Sequence, residues 1–124
     1  MLENLKIRIA LDRILRENRR YQTEAYLFVL AALSNTLNSL SEKRHISGRE
    51  FCFGISRYAK ELFGPLAMDV LNGWGIKETV DFGNIVFSLV DAGLMGKTEQ
   101  DSIADFIDVY NFEDEFAKNY NYVG

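Results

Sequence analysis

One cysteine, one proline and one histidine are spread over 124 residues, and each scarcity removes a class of function. A single cysteine rules out a disulfide within the chain, so the fold must rest on its core, and the cytoplasm is the expected compartment. One His and one Cys build no transition-metal site unless carboxylates complete it. No apolar run approaches the 18 or so residues of a membrane span; the longest runs from Ala25 to Leu33. Glu3 and Asp12 interrupt the apolar residues of the N-terminal segment, which argues against a secretory leader. Asn-Gly or Asp-Gly turns between alternating strands, the usual hairpin signal, are missing as well.

What remains is the composition of an ordinary soluble globular domain, 48% hydrophobic and 26% charged, long enough to bury a core without staples. Apolar residues recur at helical spacing throughout. The expected fold is all-α, a compact single-domain bundle of five or six helices around a buried central helix, spanning 1–124.

The first predicted helix, 2–17, places Ile7, Ala10, Leu11, Ile14 and Leu15 on one side and its basic residues on the other. Leu2, Leu5 and Ile9 fall on the basic side, so the helix either touches a second surface or frays. The second, from Thr23 as N-cap to about Leu40, is apolar nearly all round in its first half and is the predicted centre. In the third, Ser47-Gly48-Arg49-Glu50 fits a capping box, Gly64 stops the helix and Pro65 starts a short fourth one ending at Gly73-Trp74-Gly75. Trp74 reads as a plug locking that turn to the core, or as an exposed anchor for a partner. Thr79 or Asp81 caps a fifth helix carrying Phe82, Ile85, Val86, Leu89 and Val90. Thr98 and Asp101 suggest a cap for a last helix with Ile103, Phe106, Ile107 and Tyr110 on one face. Residues 117–124 are expected to fray.

Several suggestive motifs have structural explanations. Asp81-Phe82-Gly83 is the magnesium-binding triplet of protein kinases, but no phosphate loop, strand lysine or catalytic loop accompanies it. Asp81 is better explained as a charge in a helix's first turn, and Gly83 as a site of close packing. From Asp81 to Met95 there is no Lys or Arg, so this segment is no DNA-recognition helix. Asp101, Asp105 and Asp108 would share one side of the last helix, as a solvated acidic face or as oxygens for a hard cation, but without a calcium-hand loop. Cys52 falls in a core pattern. His45 belongs to the loop before the third helix. No cofactor, metal site or catalytic residue is predicted.

Charge is unevenly distributed along the chain. Residues 1–20 hold six basic and three acidic residues, and 99–124 hold seven acidic residues and one lysine. The two ends are therefore able to attract each other, within one molecule or across a dimer. A second basic cluster, Lys43, Arg44, Arg49, Arg57 and Lys60, surrounds the third helix; only if it adjoins the first does a phosphate backbone find a continuous surface.

The strings "RYQTEAYLFVLAAL", "HISGREF", "YAKELFGPLAMDVLNGWGI" and "TVDFGNIVFSLVDAGLMGKTEQDSIADFIDVYNF", in that order, resemble a family of small uncharacterised bacterial proteins found in deltaproteobacteria, planctomycetes and verrucomicrobia. The resemblance covers about Tyr21 to Phe112. It implies a bacterial cytosolic protein and carries no activity, cofactor or functional residue with it. Within these strings Arg20, Tyr21, His45 and Lys97 have no structural role evident from sequence.

The resulting expectation is a non-catalytic cytosolic interaction or assembly module that binds a protein partner or itself as a homodimer, since nine Phe, six Tyr and one Trp are generous for this length and interfaces favour aromatic anchors. The alternative is an accessory nucleic-acid-binding protein using the basic first helix; a small enzyme with a carboxylate-based site is third. The candidate partner surface comprises Arg13, Arg16, Arg19, Arg20, Tyr21, Arg44, His45, Arg49 and Lys97.

Overall fold

The computed structural model describes residues 2–96 and 102–118; the predicted cap at Thr98 and Asp101, the candidate Lys97 and the last part of the predicted tail lie outside the described residues. Five α-helices follow in order: α1 (Leu2–Glu17), α2 (Thr23–Asn38), α3 (Gly48–Phe63), α4 (Ala67–Gly73) and α5 (Thr79–Asp91). The all-α single-domain bundle is as the hydrophobic periodicity predicts, with α2 packed against α3, α5 and α1. Ala25, Tyr26, Val29 and Ala32 of α2 are fully buried.

Helix α2 starts without the expected cap: Gln22 occupies the N-cap position and makes no side-chain capping bond, while Thr23 is already helical. The capping box of α3 forms as its sequence requires. The Glu50 N–H donates to the Ser47 hydroxyl at 3.0 Å, and the Ser47 N–H donates to the Glu50 carboxylate at 3.1 Å. Trp74 is the plug, its ring lying 5.5 Å from that of Phe28 and 5.7 Å from that of Phe63. Helix α5 begins one residue before the expected caps, at an N-cap Glu78 whose N–H donates to Asp81 at 3.0 Å.

The predicted last helix does not form as an α-helix. Ile103–Phe106 is a single 3-10 turn, Glu113–Lys118 is a π-helical turn, and Asp108 between them has a left-handed φ of 51°. The helical face that was to carry Asp105 and Asp108 therefore does not form, and Asp101 lies outside the described residues. Thr79 supplies the reason. Its buried hydroxyl donates to the Phe106 carbonyl at 2.6 Å and accepts from the Val109 N–H at 3.1 Å. Those are the backbone groups an α-helix through this region would pair internally, and their capture by α5 turns the chain aside. Phe106 then wedges its ring between α3 and α5. A Cβ at Gly48 would lie 2.7 Å from the ring, and one at Gly83 would lie 2.8 Å from it.

The α2–α3 crossing relies on a similar absence, because a Cβ at Gly54 would collide with the side chain of Thr36. Thr36 is buried and β-branched, with little rotamer freedom to retreat. Gly54→Ala is expected to lose about 1–3 kcal/mol through overpacking, more than the roughly 1 kcal/mol that alanine gains in helix propensity. Urea denaturation measures the loss, and Thr36→Ala in the same chain should recover part of it.

Candidate functional site

Two places in the fold gather polar chemistry, at opposite ends of α2. At its N-terminal end lies a buried carboxylate, Asp81, only 2% exposed. The turn after α4 brings its partners to it. Gly75, with φ at 96°, is a residue whose Cβ would lie 2.6 Å from the Arg20 carbonyl oxygen, so glycine serves both the left-handed backbone and the close approach. Next to it the Gln22 N–H donates to the Trp74 carbonyl at 3.1 Å. This docks residues 20–22 on the turn and delivers Tyr21 to the start of α5.

There the Tyr21 hydroxyl donates to Asp81 Oδ1 at 2.5 Å and accepts from the Asn84 amide at 3.2 Å. The N–H groups of Lys77 and Glu78 donate to Asp81 Oδ2 at 2.8 and 3.0 Å. Arg20 closes the cluster, its guanidinium 3.2 Å from Oδ1 and 5.4 Å from the centre of the Tyr21 ring. Burial, followed by the bond to Asp81, raises the Tyr21 phenol well above its ordinary value. This is a satisfied structural cluster: the carboxylate uses both oxygens on the protein itself, and the tyrosine stays neutral.

Arg20 and Tyr21, which sequence alone left without a role, therefore brace α5. Their neighbours on α1 face solvent. Arg13 approaches Glu17 at 3.9 Å in an exposed pair, and Arg16 donates to the Asp12 carbonyl at 3.3 Å. Arg16 and Arg19 line an open groove between α1 and the start of α2, together with Asp12.

The second place is a cleft of about 710 Å³ at the C-terminal end of α2. Leu33 and Leu37 of α2, Phe51 of α3, Val86 of α5 and the wedge residue Phe106 give it an apolar lining. The loop between α2 and α3 contributes Lys43, Arg44 and His45, and among the described residues no acidic side chain lines the cleft. Arg44 is already engaged, since its guanidinium donates to both Glu50 carboxylate oxygens, at 3.2 and 2.8 Å, and to the His45 carbonyl at 3.0 Å. Arg49 lies over the Phe53 ring, 5.5 Å from its centre.

Arg19 and Arg20 stand well apart from Lys43 and Arg44. Arg19 and Arg20 precede α2 and Lys43 and Arg44 follow it, and its 16 residues span roughly 24 Å at 1.5 Å per residue. The rest of the second cluster is engaged elsewhere. Arg57 donates to the Ser39 hydroxyl at 3.2 Å, and Lys60 pairs with Glu115 at 3.0 Å.

Cys52 is fully buried, and burial pushes its thiol up to about 12. A neutral thiol in the core is not a nucleophile. Among the described residues no group of three or more His, Cys, Asp or Glu side chains is arranged to hold a metal ion, and no helix is long and apolar enough to cross a membrane. The cleft is the feature that sequence reading missed. His45 and Arg44 were visible as loop residues, but the apolar wall opposite them comes from four separate segments. Comparison with known proteins finds no family model, curated protein or solved structure that matches the chain.

Two predictions follow from the Asp81 cluster. Asp81→Ala strands several buried donors and should cost about 3–5 kcal/mol. Tyr21→Phe should cost about 1–2 kcal/mol, and Arg20→Ala, whose guanidinium is largely solvated, less than about 1 kcal/mol. Chemical denaturation of the three variants tests this order, and an Arg20 loss equal to the Asp81 loss would refute it. The second concerns alkali. Both Tyr21 and Cys52 have folded-state pKa values raised above their ordinary ones, so the native state holds protons that the unfolded chain releases. Their contribution is complete below about pH 9 and is lost as pH rises beyond it, by up to about 1.4 kcal/mol per unit and group. Denaturation midpoints measured across alkaline pH should fall less steeply in Tyr21→Phe than in the parent chain.

Proposed function

We propose that the protein is a non-catalytic interaction module of the bacterial cytosol that assembles with itself or with a partner protein through the outward face of α1. One observation carries this reading. Leu5 and Ile9 lie one helical turn apart and are 52% and 58% exposed, while Leu11 and Ile14 on the inward side of the same helix are buried. Arg8, Arg13 and Arg16 flank this stripe and are exposed. A helix with one apolar face in the core and a second in solvent, ringed by guanidinium groups, matches the anatomy of an interface, an apolar centre within a charged rim. The acidic C-terminal segment, where Glu113 and Asp114 are exposed, offers a second copy the opposite charge.

The burial of Cys52 and a cleft lined by no acid among the described residues support a non-catalytic role over a carboxylate-based enzyme. The nucleic-acid reading draws support from the exposure of the basic side chains from Lys6 to Arg20. The spacing of Arg19 and Arg20 from Lys43 and Arg44 counts against it, as do Asp12 and Glu17 among the arginines.

Sedimentation equilibrium tests the proposal. The wild type should show a mass that rises with concentration, and Leu5→Glu with Ile9→Glu should keep it monomeric while changing folding stability by no more than about 0.5 kcal/mol, as for other exposed sites. A wild type that stays monomeric and captures no partner through α1, or a double variant that associates equally well, overturns it. Binding to DNA or RNA that weakens with salt and disappears when Arg13, Arg16, Arg19 and Arg20 become Ala would move the assignment to the nucleic-acid reading.

A further inference from the structure

We infer that the cleft at the C-terminal end of α2 is a binding site for a medium-chain aliphatic carboxylate, its alkyl chain along the apolar wall and its head group at Lys43 and His45. The inference is independent of the assembly surface on α1, none of whose residues lines the cleft.

Size is the first argument. A volume of about 710 Å³ lies within the range of roughly 300–1,000 Å³ typical of small-molecule sites, which are mostly apolar with a few convergent polar groups. Leu33 and Leu37 line the cleft one helical turn apart on α2, roughly 6 Å at helical rise, and Leu40 extends the wall just beyond the helix end. So short a wall suits a medium-length alkyl chain better than a long lipid tail. Phe51, Val86 and Phe106 complete the lining from the other side.

Charge is the second. The chain carries 18 acidic residues against 14 basic ones, yet among the described residues the cleft is lined by Lys43, Arg44 and His45 and by no acid. All three basic groups stand together on the loop between α2 and α3, close in sequence to the Asn38 amide that also lines the cleft, so one end of a mostly apolar site is suited to an anion. Among the described residues Lys43 and His45 have no side-chain hydrogen-bond or ion-pair partner, which leaves the ammonium and an imidazole N–H to donate.

The state of Arg44 favours a carboxylate over a phosphate. The arginine fork fits both groups, but here it is closed on both oxygens of Glu50. That pair is fixed in turn by the Ser47 capping box, which uses the same Glu50 carboxylate. The ammonium of Lys43 matches the single charge of a carboxylate better than the nearly two charges of a phosphate monoester. Two single-point donors remain, enough for one carboxylate.

Isothermal titration with decanoate below its micellar concentration tests the assignment, with decanol, decyltrimethylammonium and decyl phosphate as companion probes. Decanoate should bind most tightly. Lys43→Glu should weaken it by about tenfold or more, as expected for losing a hydrogen bond to a charged group. Leu37→Glu, at a position already 41% exposed and therefore tolerant of a charge, should abolish binding without altering the thermal midpoint. Lys43→Glu should bind decyltrimethylammonium at least as well as the parent chain. Failure of decanoate to bind, or equal binding of decanol and decyltrimethylammonium, overturns the inference. Tighter binding of decyl phosphate overturns the carboxylate assignment, and decanoate binding unchanged in both variants places the ligand elsewhere.

Discussion

A carboxylate withdrawn from water must find donors for both of its oxygens, and the start of α5 is built around that requirement. Asp81 takes them from the α4–α5 turn, through the N–H groups of Lys77 and Glu78, and from the segment joining α1 to α2, through Tyr21 and Arg20. A single buried charge thereby ties the α4–α5 turn and the start of α5 to a segment 60 positions earlier in the chain. An unpaired buried carboxylate is far more costly than a paired one, so the geometry of this corner is specified more strictly than hydrophobic packing alone would specify it. Gly75 and Trp74 belong to the same constraint, because residues 20–22 reach Asp81 only by lying against that turn.

A second polar contact, the Thr79 hydroxyl, governs the C-terminal part of the molecule. By binding the Phe106 carbonyl and the Val109 N–H it diverts the chain from helix and presses Phe106 between two glycines. Further bonds hold the diverted segment to α3. The Tyr110 hydroxyl donates to the Cys52 carbonyl at 2.8 Å, and Glu115 accepts from Lys60 and Ser56. Phe106 also lines the apolar cleft. The cleft thus exists in part because a threonine one helix away prevented the last segment from winding into a regular helix.

These two contacts explain why the surface divides as it does. Arg20 and Arg44 look alike in sequence as members of basic clusters, yet each is drawn into an ion pair, with Asp81 and with Glu50. Arg49 is drawn over an aromatic ring. Lys43 and His45 beside the cleft remain available to a ligand, and the arginines of α1 outside the Asp81 cluster remain available to a partner.

Sequence by itself determined the helices, because periodic burial and end-capping act within a few residues. The 3.6-residue repeat marked α1, α2, α3 and α5 close to their observed ends, and Ser47 with Glu50 announced the start of α3. It also showed that Leu5 and Ile9 fall on the wrong side of α1, since helical angle follows from residue number alone. Tertiary structure alone decided the rest. The Tyr21–Asp81 bond joins residues 60 positions apart, the Thr79 bonds reach across 27 and 30 positions, and the cleft draws its lining from both halves of the chain. No local pattern encodes such pairings; a buried polar group states only that it needs a partner, and the packing of the helices decides which partner it receives.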